Sequence, residues 1–89
     1  MSHSKIVISD LHTPDDNAEK LYKRITAYGK YERICKDAWI ISTTQSCSEI
    51  RDNLSTALNR NDRIFVADLT GVAAWQNMIC YSERIVQMI

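Results

Sequence analysis

Lys5-Ile6-Val7-Ile8-Ser9-Asp10-Leu11 is an apolar-rich stretch that ends in aspartate, and Arg63-Ile64-Phe65-Val66-Ala67-Asp68-Leu69 repeats its form much later in the chain. Each has the β-branched content and length of a strand. Between them, Thr13 suits an N-cap, Pro14 the first helical position, and Asp15 and Asp16 the positive end of a helix dipole. Ala18, Leu21, Tyr22, Ile25 and Tyr28 recur at helical spacing on one face, Lys20, Lys23 and Arg24 fall on the other, and Gly29 ends the run. Residues 31–35 and 38–44 read as two strands turning at Lys36-Asp37. Ser46-Cys47-Ser48-Glu49 fits a capping box, and Ile50, Leu54, Ala57 and Leu58 supply the stripe of a second helix. Asn59-Arg60-Asn61-Asp62 then forms a turn into the last strand. The order strand-helix-strand-strand-helix-strand predicts an α+β split βαβ sandwich over residues 5–70, within a single domain of residues 1–89.

After Gly71 the pattern weakens. Val72-Ala73-Ala74-Trp75 fits a short helix or an irregular packed segment, and residues 82–89 are amphipathic as either helix or strand. This C-terminal extension bears on the core. Two helices cover one face of a four-stranded sheet, yet Ile64, Phe65, Val66 and Ala67 are apolar on both faces, as are Ala38, Trp39, Ile40 and Ile41. The second face needs a cover: the extension, another subunit, or both. We expect a homodimer with Trp39 or Phe65 near the contact, because a small core gains from association.

Composition limits the function classes. At 89 residues, with 45% hydrophobic and 25% charged residues, the chain has the make-up of an ordinary globular domain. Eleven basic and eleven acidic residues cancel, so attraction to nucleic acid would have to come from a local patch. The three cysteines form no CxxC pair, and the polar Met1-Ser2-His3-Ser4 start does not read as a signal peptide, so we expect reduced thiols and a cytoplasmic protein. No apolar run approaches the ~20 residues of a membrane span.

Asp10 leads the candidates for chemistry, since a carboxylate at a strand end beside a loop is placed to hold magnesium together with substrate phosphate and water. The alternative role is a turn aspartate capping backbone near His12. Topology argues against Asp68 as its partner within one chain, because antiparallel first and fourth strands end at opposite edges of the sheet. A symmetric dimer could instead bring two copies of Asp10 together. His12 reads as a general base or, more simply, as a polar loop residue, and His3 sits near a terminus. The densest positive stretch comprises Lys20, Lys23, Arg24, Lys30, Arg33 and Lys36, interrupted by Glu32. It is a candidate for tracking phosphates, with Tyr31 placed to stack a base, or else the solvated face of a helix and hairpin.

With Asp10 ending the first strand, the Tyr28-Gly29 helix stop, Ala38-Trp39-Ile40-Ile41 and Arg63-Ile64-Phe65-Val66, the chain resembles the small ferredoxin-like CRISPR-associated adaptation proteins and the VapD-type ribonucleases. It is closer still to small bacterial proteins labelled SinR family. The resemblance covers about residues 5–70. It implies a ferredoxin-like homodimer packed through its sheets and, in nuclease members, a divalent metal held at the dimer interface by the position of Asp10. Cys35-Lys36-Asp37-Ala38 stands where those proteins often carry Gln-x-Ser.

Two functions are expected from these readings. One is a non-catalytic interaction or nucleic-acid-associated scaffold or regulator in phage defence or toxin–antitoxin biology, with no cofactor. The other is a magnesium-dependent endonuclease, on RNA or DNA, with Asp10 both as metal ligand and as catalytic residue.

Overall fold

The computed structural model describes residues 3–12, 14–69 and 73–88; the side chains of residues 14–17 are outside this description. Seven elements follow in order: β1 (Ser4–Asp10), α1 (Pro14–Thr26), β2 (Tyr31–Cys35), β3 (Ala38–Ser42), α2 (Cys47–Ser55), β4 (Arg63–Asp68) and α3 (Ser82–Met88). The strands form one antiparallel sheet in the order β2-β3-β1-β4. The architecture is α+β with a four-stranded open sheet and three helices among the described residues. The expected Thr13 cap lies outside the described residues.

Local chemistry explains the boundaries. Gly29 has φ +83°, the left-handed conformation that stops a helix cheaply only when no Cβ is present, and its N–H donates to the Thr26 carbonyl at 3.0 Å. The capping box at α2 forms as the sequence predicts. Ser46 Oγ accepts from the Glu49 N–H, and Glu49 Oε1 accepts from the Ser46 N–H, each at 3.1 Å. Ser46→Ala is expected to lower stability by about 1 kcal/mol, as that hydroxyl satisfies an otherwise orphaned helix N–H. Urea unfolding of both proteins would read this directly.

The register sorts the apolar strand residues into two cores. Val7 pairs with Trp39 on one side and Val66 on the other. This row faces α1 and α2, where Val7, Trp39 and Ile41 pack with Leu21, Ile25, Ile50, Leu54 and Ala57. Of the other stripe residues, Tyr28 packs against this core, whereas Ala18 is exposed and Tyr22 is 44% exposed, because both sit on the flank of the helix rather than over the sheet.

The opposite face carries a smaller core, in which Ile40, Ile85 and Met88 are buried with Ile34, Leu69, Trp75, Met78 and Cys80 against them. The C-terminal extension is therefore a cover for the second face. Residues 73–81 form no helix or strand, residues 82–88 are helical, and Val72 lies outside the described residues. Hydrogen bonds anchor this cover, among them the Ile79 N–H to the Ile34 carbonyl at 3.0 Å and Ser4 Oγ to the Met88 carbonyl, and Arg84 pairs with Glu32 at 3.5 Å. Burial, followed by the nearby Glu32 carboxylate, pushes the Cys80 thiol above its ordinary pKa. All three cysteines are free thiols.

The cover is partial. Ile8 remains 43% exposed and its cross-strand partner Phe65 is 61% exposed.

Candidate functional site

Asp10 closes β1 opposite Arg63, the first residue of β4. Their side chains form an ion pair at 3.1 Å, open to solvent. Together they border an open pocket of about 730 Å³ that is also lined by His12, Arg60, Asn61 and Asp62. Asp62 is the nearest second carboxylate, but its oxygens hold the loop: Oδ1 accepts from the His12 N–H at 2.7 Å and Oδ2 from the Asn59 N–H at 2.8 Å. Asp68 pairs instead with Lys5, five residues back along β1 and about 17 Å away.

A hard divalent cation needs several oxygen donors held around one point. Here one carboxylate is engaged by a guanidinium and the next by two backbone amides. Among the described residues no three His, Cys, Asp or Glu side chains are grouped to hold a metal ion. The residues at Asp10 do not fit a magnesium site within one chain.

The basic candidates divide into two groups. Lys20, Lys23 and Arg24 line one groove of about 370 Å³ between α1 and α2, together with Ala27, Asn53, Thr56 and Ala57. All three basic residues are exposed. Lys23 also meets Glu19 at 3.4 Å, a solvent-screened pair of successive helical turns that constrains it little. Arg24 is more firmly placed. Its Nη1 donates to Asn53 Oδ1 at 2.9 Å, Asn53 Nδ2 donates to Tyr28 Oη at 2.9 Å, and Tyr28 Oη donates to Gln45 Oε1 at 2.7 Å. This chain runs from α1 through α2 into the loop before it, so the guanidinium is held by the fold.

Lys30 and Arg33 lie outside that groove. Lys30 is exposed at the turn into β2. Arg33 closes the β2–β3 turn by donating from Nε to the Lys36 carbonyl at 3.0 Å, and its guanidinium lies 5.4 Å from the Trp39 ring centroid. Tyr31 packs in part against the main core, and its neighbour Tyr22 holds its hydroxyl above the usual tyrosine pKa.

The two residues expected near a dimer contact lie on opposite faces. Trp39 is 5% exposed beneath the helices, whereas Phe65 is on the partly covered face. Only Phe65 is available to a second molecule. Asn53, Thr56 and Arg63 were missed by the sequence reading; their roles follow from the α1–α2 contact and the β1–β4 register, which leave no local motif.

No described helix is long and apolar enough to cross a membrane. Compared with protein-family models, curated proteins and solved structures, the chain matches none of them.

Proposed function

We propose that this protein is a ferredoxin-like, homodimeric interaction module that associates with nucleic acid. In this reading it is a scaffold or regulator of the CRISPR-adaptation and VapD-like group that its sequence resembles, acting in phage conflict or toxin–antitoxin biology. The observation that carries the reading is the groove in which Lys20, Lys23 and Arg24 converge, with Asn53 orienting Arg24. Three cations gathered along one groove suit the repeated charges of a phosphate backbone. The strand order and the packing of α1 and α2 on one face support the ferredoxin-like assignment. The endonuclease alternative is weaker, because Asp10 is tied to Arg63.

Anisotropy titrations with labelled single- and double-stranded RNA and DNA test the reading, alongside cleavage assays of wild type and Asp10→Asn with and without magnesium. The expected result is binding that is insensitive to sequence and falls steeply with salt, as phosphate contacts release counterions, and no cleavage. Absence of binding at low salt would remove the proposal. Magnesium-dependent cleavage that disappears in Asp10→Asn would replace it with the nuclease.

A further inference from the structure

We infer that β4 is the dimerisation edge: it pairs antiparallel with β4 of a second copy of this chain, with Phe65 at the two-fold axis. The inference deepens the homodimer part of the reading above and is independent of nucleic-acid binding.

The two edges of the sheet are treated differently. The β2 edge is irregular, with a register shift between Arg33 and Cys35, and the C-terminal segment bonds to it through the Ile79 N–H. Both features discourage strand addition. The β4 edge, Arg63-Ile64-Phe65-Val66-Ala67-Asp68, contains no proline, glycine or bulge, and among the described residues no further strand lies beside it.

The hydrogen bonds at the strand ends show which backbone groups this edge presents. The Ser9 N–H donates to the Asp37 carbonyl at 2.8 Å and the Thr43 N–H to the His3 carbonyl at 3.0 Å, so odd residues of β1 bond towards β3. The Leu69 N–H donates to the Ser4 carbonyl at 3.0 Å, so even residues bond towards β4. With the pairing Ile6↔Ala67 and Ile8↔Phe65, the backbone groups of Phe65 and Ala67 face β1, while those of Ile64, Val66 and Asp68 point away from the sheet.

A second β4 fits that pattern. Centring the two-fold on Phe65 sets Ile64 of each copy opposite Val66 of the other, where their outward amides and carbonyls bond. Phe65 then faces its own symmetry mate in a non-hydrogen-bonded pair, the pair type with the closest side chains. This covers the most exposed large apolar side chain of the sheet and continues the Ile8 row across both copies. The charges at the strand ends are held within each copy, Arg63 by Asp10 and Asp68 by Lys5, and the two lie on opposite faces of the sheet, so the pairing rests on backbone and apolar contacts. Asp62 falls opposite the second Asp68, but its carboxylate is turned back into its own loop.

Cross-linking tests this pairing. In a background of Cys35→Ser, Cys47→Ser and Cys80→Ser, Phe65→Cys should oxidise to a disulfide-linked dimer, since residues across the two-fold are about 4.5 Å apart at Cα, within disulfide reach. Ile8→Cys should not cross-link, because three strand spacings, about 14 Å, separate the two copies. Independently, Phe65→Lys should raise the dimer dissociation constant at least tenfold in sedimentation equilibrium while its circular dichroism stays unchanged. A wild type that remains monomeric at high micromolar concentration overturns the inference, as does a dimer that Ile8→Cys cross-links or that Phe65→Lys leaves intact. In the last two cases the homodimer survives and only its geometry fails. The nucleic-acid titrations stand or fall separately.

Discussion

Replacing Leu54 with alanine is expected to cost about 2–5 kcal/mol, the range for removing a buried leucine whose neighbours cannot collapse into the space. Leu54 is 0% exposed and sits where α2 meets Val7, Leu21, Ile25 and Trp39. For a domain whose whole stability is on the order of 5–15 kcal/mol, that is a large share, and it corresponds to a fall in melting temperature of about 10–30 °C. Val86→Ala is the control. Val86 is 61% exposed on α3, and its truncation should stay within about 0.5 kcal/mol. Denaturant midpoints of the three proteins, under conditions that hold oligomeric state fixed, would show both effects. Equal shifts for the two variants would mean that the helix-side core does not dominate stability.

The second large effect concerns binding. Combining Lys20→Glu, Lys23→Glu and Arg24→Glu should lower affinity for nucleic acid roughly 100-fold or more at physiological salt, and should reduce the slope of log affinity against log salt by about 2–3, one counterion term for each lost phosphate contact. All three positions are exposed on the flank of α1 that borders the groove, so the fold should persist, which far-UV circular dichroism would check. Asn53→Ala is subtler: it leaves every charge in place but frees the Arg24 guanidinium. A few-fold loss of affinity with little change in slope is expected. An unchanged affinity and slope in the triple variant would assign these charges to solubility alone.

The element order was legible because each element announces itself locally. Pro14 and Gly29 frame the first helix, and Ser46 with Glu49 opens the second, and all of these are one-dimensional signals. Burial was harder to read. Ala38, Trp39, Ile40 and Ile41 are all buried, so alternation is lost, and only register with Val7 and Arg33 assigns Trp39 to the helix side. The tail was ambiguous for another reason. Residues 82–88 span only two helical turns, too few for helical and strand periodicities to diverge clearly. At the candidate site, Asp10 was found by its place at a strand end, but its guanidinium partner arises from a pairing between residues far apart in the chain. The basic groove was half legible: α1 supplies its charges at helical spacing, whereas Asn53 and Thr56 enter through the packing of a second helix.

The position of β1 carries a kinetic consequence. It lies between β3 and β4, and Ile6 pairs with both Ile40 and Ala67. The hairpin of β2 and β3 closes over a short turn, but β1 is synthesised before both of its partners and finds the second only once β4 has followed. Loop-closure entropy must be met before those distant ladders contribute. Folding should therefore run on the slower timescale of mixed topologies rather than the microseconds of helical bundles. Until β1 inserts, the hairpin presents Ile40 and Ile41 to solvent, and during that interval crowded nascent chains are most exposed to mispairing with one another.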